Sequence, residues 1–237
     1  MRLSFGASIA FCAAALAQSS AQAASLPAVK SSPDNPVAEC ATPGRLMAFL
    51  KAENPGAADK FDVIATEYMR NGEELGLRWD IAFFQMMLET NSLRYTGDVK
   101  VTQNNFAGLG ATGNGARGES FKDVATGVRA HLQHLLMYTG THVDNPVAER
   151  TRNVQDWGVL TDWQKTIKGP MTFVQLAKQW APGSRGYVTD ISAIQDRFMS
   201  GACNGPDPHP ELVAEARKGL TAKTTDVASA QPVTKPA

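Results

Sequence analysis

Residues 81–89 are apolar at almost every position, and this run constrains the fold more than any other feature of the chain. Gln85 is its one polar member before the run ends at Glu89, and polar sequence rich in Asn and Gly follows directly. A helix that is apolar on nearly all faces belongs in the middle of a core. The pattern therefore predicts a buried central helix, from about Trp79 to Glu89, with one acid at its end.

Glu89 is the candidate catalytic residue. Burial disfavours the charged form of a carboxyl group, and the negative end of a helix dipole disfavours it further, so both effects raise the pKa of Glu89. A raised pKa suits a general acid that works near neutral pH. The alternative is a glutamate that only marks the polar edge of a core helix.

The rest of the sequence predicts a mainly α fold with one small loop or hairpin lobe. Apolar spacing and capping residues predict helices that start at Pro43, span about 58–75 and about 122–139, start after Thr172, and end before Gly201. The glycine-rich residues 90–122 are expected to form loops or a short hairpin. Residues 141–171 are expected to be irregular, with Trp157 and Trp163 anchoring them to the core.

The N-terminal residues are typical of an export signal. Arg2 precedes an uncharged apolar stretch, and Ala21 and Ala23 offer small residues for cleavage, so residues 1–23 are predicted to be a signal peptide. The apolar stretch is too short to span a membrane, and no later stretch is long enough. The mature protein is therefore expected to be periplasmic or secreted.

Two cysteines remain after the predicted cleavage, Cys40 and Cys203. An even pair in an exported protein predicts a disulfide, with two free thiols as the alternative. We expect a short N-terminal extension over 24–40 and one domain over 41–203. Residues 204–237 are rich in Pro, Ala, Thr and Lys, which predicts a disordered tail.

Composition excludes several kinds of partner. The chain has 23 basic and 23 acidic residues and no strongly basic face, so nucleic acid is not an expected partner. His131 and His134 lie three residues apart, but a third ligand at matching spacing is missing, so no metal is expected. Residues 108–113 match a loose Gly-x-Gly-x-x-Gly pattern without a preceding strand, so no cofactor is expected.

Several motifs resemble the glucosaminidase domains of bacterial cell-wall hydrolases, in family 73 of the glycoside hydrolases and the lysozyme-like superfamily. The most specific are Leu88-Glu89-Thr90 and Asn104-Asn105-Phe106-Ala107-Gly108. The similarity also covers residues 76–85, 118–121, 127–135 and 176–182 and Tyr187, so it extends over about 43–200.

This resemblance implies an α+β, lysozyme-like helical domain whose small lobe forms a groove for a peptidoglycan glycan strand. Glu89 matches the family's catalytic glutamate, which would protonate the glycosidic oxygen. Substrate contacts are expected from Gln103, Asn104, Asn105 and Tyr187, and Phe106 is expected to pack under the loop.

A second carboxylate is harder to assign. Relatives carry an acidic residue on a longer hairpin, but this hairpin is shortened to about residues 111–118. Glu119 and Asp98 are the candidates, and Glu119 could equally pair with Arg117 or cap the helix that follows. Three mechanisms stay open: water activated by a carboxylate, attack by the substrate's 2-acetamido group, or internal attack that gives an anhydro sugar.

The function predicted from these features is an endo-β-N-acetylglucosaminidase acting on peptidoglycan. The alternatives are a muramidase, a lytic transglycosylase, or a non-catalytic peptidoglycan-binding scaffold. Besides the glycan strand, the sequence leaves one further partner open, which is an envelope secretion or motility complex.

Overall fold

The computed structural model describes residues 26–113 and 115–220. The predicted signal peptide and residues 221–237 therefore lie outside the described residues. Within the described part the regular elements are helices with the bounds α1 Pro43–Glu53, α2 Ile64–Leu75, α3 Trp79–Glu89, α4 Val124–Tyr138, α5 Glu149–Asp156, α6 Thr161–Thr166, α7 Phe173–Trp180, α8 Tyr187–Ser200 and α9 Glu211–Arg217. Short 3-10 turns occupy Asp59–Phe61, Val101–Gln103 and Ala202–Asn204.

Helix α3 lies at the centre of the core, as its composition predicts. Phe83 and Phe84 are completely or almost completely buried. Phe83 packs edge to face against Tyr68 of α2, and Phe84 packs against Phe198 of α8. The mainly α fold is confirmed, and β-structure in the described ranges is limited to isolated bridges.

Local signals at the ends of the helices are also confirmed. The Thr42 hydroxyl accepts a hydrogen bond from the Arg45 backbone N–H, which caps α1. Gly76 ends α2 in the left-handed conformation with a φ of 65°. The Thr172 and Gln175 capping box opens α7.

The prediction of an irregular segment over 141–171 is wrong, because α5 and α6 lie inside it. Helix α5 buries only Thr151 and Val154, so its sequence carries too little apolar stripe to be recognised. Trp157 does not anchor this segment as predicted, since it is 65% exposed. Trp163 does pack against the core, next to Tyr138.

Both ends of the domain are held against its body. In the N-terminal extension Val29 is fully buried, and its backbone N–H donates to the Met171 carbonyl. The predicted disulfide between Cys40 and Cys203 is present, with the two Cα atoms 5.2 Å apart. It joins the residues before α1 to the turn after α8.

The prediction of a disordered tail is wrong for residues 204–220. This segment forms α9, which packs against α1 and α2. Ala216 is fully buried, and Arg217 forms an ion pair with Glu73 of α2 at 2.7 Å. The apolar contact is small, and therefore composition alone does not reveal it.

The long segment after α3 forms the predicted loop lobe. Among the described residues of this lobe a bridge between Gly113 and Ala116 marks a short hairpin tip, and the base of the lobe packs on α4. A Cβ atom at Gly127 of α4 would lie 1.9 Å from the Asn104 carbonyl oxygen. Only glycine permits so close an approach of loop and helix. Within the described residues, every helix is too short or too polar to cross a bilayer.

Candidate active site

Glu89 is the last residue of α3 and opens onto a groove between the helices and the loop lobe. The groove has a volume of about 510 Å³ and is lined by Glu89, residues 107–112, His134, Tyr138, Arg150, residues 179–182 and Tyr187. Five of these residues form what we term the helical wall: Glu89, His134, Tyr138, Trp180 and Tyr187. Residues 107–112 form what we term the loop wall.

The chain turns sharply away from the groove directly after Glu89. Asn91, Ser92 and Leu93 all have positive φ, between 49° and 65°. Such a run of non-glycine residues is rare, and it persists because side chains hold it. The Thr90 hydroxyl accepts from the Leu93 backbone N–H, and the Asn54 amide donates to the Ser92 carbonyl. The turn ends α3 at Glu89 and leaves that side chain facing the groove.

The carboxyl group of Glu89 is both accessible and deep. Its side chain is exposed to the groove, yet protein surrounds the carboxyl group and burial raises its pKa. Hydrogen bonds from the Tyr187 hydroxyl at 2.5 Å and the Trp180 indole at 2.7 Å, both to Oε1, lower the pKa in part. The net shift is upward, which favours the protonated acid.

A buried chain of polar groups stands behind Tyr187. The Tyr187 hydroxyl accepts from Gln85 Nε2 at 2.7 Å, and Gln85 Oε1 lies 3.4 Å from His131 Nε2. His131 Nδ1 in turn lies 2.7 Å from the Tyr68 hydroxyl. Because Tyr187 donates to Glu89, every proton in this chain points the same way, from Tyr68 towards Glu89. Burial lowers the pKa of His131 to about 3, so its ring stays neutral.

The floor of the helical wall is aromatic. The ring of Trp180 lies 5.5 Å from His134 and 5.5 Å from Tyr138, measured between ring centroids. Burial lowers the pKa of His134 to about 3, helped by the charge of Arg150, and His134 Nδ1 contacts the Thr151 hydroxyl. These three side chains are therefore uncharged at neutral pH. A flat, uncharged aromatic surface of this kind can pack against sugar rings.

The loop wall is shaped by amides that lie behind it. Asn105 is 1% exposed, and its side chain bonds to the backbone of Ala107, Leu109 and Glu119. Phe106 is completely buried, as expected for a residue that packs under the loop.

Asn104 and Gln103 are also committed to internal hydrogen bonds. The Asn104 amide donates to the Phe121 carbonyl and accepts from Lys60. Gln103 donates to the Arg117 carbonyl and accepts from the Lys100 backbone. Neither of them, nor Asn105, lines the groove, so the expected direct sugar contacts by these side chains do not fit their placement. They act on the groove by fixing the loop.

The two candidate second carboxylates do not join Glu89 in the groove lining. The Glu119 carboxylate accepts from the backbone N–H groups of Glu149 and Arg150, at 2.8 and 2.7 Å. It therefore caps the first turn of α5 and not α4, the helix that follows it in sequence, whose N-cap is Asp123. Asp98 is half-buried in the loop before the Val101–Gln103 turn.

Sequence reasoning does not select the groove residues His134, Tyr138, Trp180 and Arg150, nor Gln85 behind them. One signal is available: His131, His134 and Tyr138 follow helical spacing on one face of α4, beside its leucine stripe. From the sequence the two histidines are considered only as metal ligands, so the face that they share with Tyr138 is not recognised. No cluster of three metal-ligating side chains occurs in residues 26–113 or 115–220.

An acid of raised pKa that opens onto a groove, in a helical domain, is the arrangement of a glycosidase active site. The chain belongs to the glucosaminidase family: residues 65–197 match the family described as mannosyl-glycoprotein endo-beta-N-acetylglucosaminidase. The predicted resemblance to glucosaminidase domains, and with it a glycosidase, is confirmed.

One relative is an uncharacterized protein of Borreliella burgdorferi, 40% identical over 77 residues. The match covers 32% of this chain and 38% of that protein, so the chain spans well under half the length of its relative. No solved structure matches the chain.

Proposed function

We propose that this protein is an endo-β-N-acetylglucosaminidase that cleaves the glycan backbone of peptidoglycan, with Glu89 as the general acid. The observation that carries the proposal is the position of Glu89, whose carboxyl group is deep, open to the groove and raised in pKa. Family membership supports the glycosidase activity. The groove's aromatic floor and backbone-rich loop wall suit a neutral sugar chain.

The hydrogen bonds of Glu89 assign its acidic proton to one oxygen. Oε1 already accepts from Tyr187 and Trp180, so the protonated acid carries its hydrogen on Oε2. In the proposed reaction Oε2 delivers this proton to the glycosidic oxygen as the bond to the anomeric carbon breaks. The negative charge left on Glu89 is then stabilised by the two donors at Oε1.

The proposed nucleophile is the substrate's own 2-acetamido group. Glu89 is the only carboxylate among the described residues that line the groove, and Glu119 is engaged at α5. Substrate-assisted hydrolysis needs no second enzyme carboxylate as nucleophile. Water then opens the cyclic intermediate, returns a proton to Glu89, and leaves a reducing N-acetylglucosamine end.

The cellular setting of this reaction is also a proposal. The N-terminal sequence favours export to the periplasm or the medium. That the protein acts beside an envelope secretion or motility complex stays a prediction.

Mass spectrometry of fragments released from purified peptidoglycan tests the proposed function. We expect reducing N-acetylglucosamine ends from the wild type, and a rate at least about 100-fold lower for Glu89→Gln. Glu149→Gln, which changes an exposed acid outside the groove lining, should keep the wild-type rate.

Other products would overturn the proposal in defined ways. Reducing N-acetylmuramic acid ends indicate a muramidase, and anhydro ends indicate a lytic transglycosylase. If the folded protein releases no fragment that depends on Glu89, a peptidoglycan-binding scaffold replaces the enzyme.

A further inference from the structure

Arg150 is the one permanent charge among the described residues that line the groove. Burial acts against the charged forms of the other titratable side chains there: it raises the pKa of Glu89 and lowers the pKa of His134 to about 3. Burial also raises the pKa values of Tyr138 and Tyr187. Arg150 therefore places a positive charge beside the groove near neutral pH, although the sugar backbone itself is neutral.

The guanidinium group of Arg150 has no hydrogen bond or ion pair to any residue in the described part of the chain. Its charge nevertheless reaches the groove floor, because it lowers the pKa of His134 and opposes the rise in the pKa of Tyr138. Several other arginines at the surface form ion pairs, such as Arg129 with Glu74 and Arg217 with Glu73. Arg150 differs from the surface arginines without an ion pair because it lines the groove. An arginine left free beside a groove is available for a ligand.

The backbone that carries Arg150 is firmly held. Glu119 accepts a hydrogen bond from its N–H group at 2.7 Å, and Asn105 fixes the Glu119 carbonyl at 3.0 Å. The same Asn105 amide shapes the loop wall through Leu109. The backbone of Arg150 is therefore held at a fixed position relative to the loop wall of the groove.

We propose that Arg150 forms a carboxylate-binding subsite of the groove. An arginine guanidinium offers a planar fork of N–H donors that matches a carboxylate group. This inference rests on the proposed function, because peptidoglycan differs from a plain N-acetylglucosamine polymer in bearing carboxylates. They come from two sources: the lactyl group of a sugar without a peptide, or the peptide stem.

Equilibrium binding to the mature protein carrying Glu89→Gln tests this subsite without turnover. Three ligands are compared: glycan fragments with peptide stems, peptide-free glycan with lactyl carboxylates, and N-acetylglucosamine oligomers without any carboxylate. We expect Arg150→Gln to weaken binding of a carboxylate ligand by roughly 10- to 100-fold and to leave the oligomers unchanged. Arg150→Lys should retain part of the affinity, because it keeps the charge but loses the fork.

Arg152→Gln is the matched control, since it removes the same charge from α5 at a position outside the groove lining. Its binding should equal that of the parent protein, and added salt should reduce the effect at Arg150. A loss confined to peptide-bearing fragments identifies the peptide carboxylate, and a loss confined to peptide-free glycan identifies the lactyl carboxylate.

Equal losses with all three ligands, no loss with any, or no binding by the parent protein would overturn the subsite. Failure of the proposed function gives a different pattern, because binding that depends on Arg150 would persist while the wild-type protein releases no fragments.

Discussion

The helical wall and the loop wall of the groove differ in which atoms they present. The helical wall offers large side chains, and Glu89 is held there by donors from two other helices, Trp180 of α7 and Tyr187 of α8. The loop wall offers mostly backbone and small residues, and it takes its shape from buried amides such as Asn105. The helical wall therefore presents side-chain donors around an acid, and the loop wall presents mainly backbone.

The two walls also differ in the direction in which their polar groups point. On the helical wall, Trp180 and Tyr187 direct their polar groups at Glu89 in the groove. On the loop wall the polar groups point away from the groove, and their hydrogen bonds are made to the protein's own backbone. We therefore expect changes in the loop to act through stability and substrate affinity, and changes in the helices to act through the pH profile.

The largest expected effect is on the loop wall. In Gly127→Ala the new Cβ atom would collide with the Asn104 carbonyl and with Phe106. We expect a loss of roughly 2 to 4 kcal/mol in the free energy of unfolding, even though alanine favours helix by about 1 kcal/mol. Urea unfolding measures the loss, and hydrogen exchange should show faster opening of residues 101–112 than of α3.

Gly97→Ala is the control for this prediction. Gly97 lies in the same lobe, its φ is not positive, and the space that a Cβ atom would occupy there is open. The unfolding free energy of this variant should match that of the wild type within about 0.5 kcal/mol. If Gly127→Ala opened both walls equally, the two walls would not be separate units.

The second effect is on the helical wall. Tyr187→Phe removes a donor that lowers the pKa of Glu89, so the pKa of this acid should rise further. The activity that depends on protonated Glu89 should then persist to higher pH, while kcat falls about tenfold because the product carboxylate loses a hydrogen bond. A pH profile of kcat measures both. Trp180→Phe should shift the profile in the same direction, and a shift to lower pH would contradict the assignment.

A third effect concerns two buried histidines of α4, His134 in the helical wall and His131 behind it. The pKa values of His131 and His134 are about 3 in the folded protein, below the ordinary value of 6.5. The unfolded chain therefore binds more protons below about pH 6.5, and stability should decrease as pH falls, by at most about 1.4 kcal/mol per unit for each histidine. Urea unfolding between pH 7 and pH 5 measures this slope.

Glu89→Gln protein suits that measurement, because the raised pKa of Glu89 acts in the opposite direction. His134→Gln in this background should reduce the slope, because the pKa of His134 is lowered in the folded protein. Equal slopes with and without His134→Gln would show that this histidine does not control acid stability.

The sequence predicts the central helix and the helix caps better than the helices that long-range contacts hold in place. Helix α3 and its terminal acid follow from a single apolar run, since a helix without a polar face must be central. The caps at Thr42, Gly76 and Thr172 are local chemistry and are equally readable. Helices α5 and α9 cannot be predicted in this way, because few of their residues are buried and long-range contacts hold them.

The site shows the same limit. Glu89 and Tyr187 can be proposed from motifs, but their hydrogen bond joins residues 98 positions apart. For Asn105 the sequence predicts a sugar contact, but the side chain bonds to the loop backbone. An amide in a Gly-rich loop is equally compatible with either role. Only the fold decides where its hydrogen bonds go. Arg150 has no local signal, because what distinguishes it is a place in the groove lining together with the lack of a side-chain partner among the described residues.

The disulfide has a consequence for how the protein would survive damage. Every residue that lines the groove lies between Cys40 and Cys203 in sequence, so these residues belong to one covalent ring. The exposed loop tip at Thr112 and Gly113 is a natural place for a protease to cut. A single nick there would leave both fragments attached, running as one species on a gel until a reductant separates them.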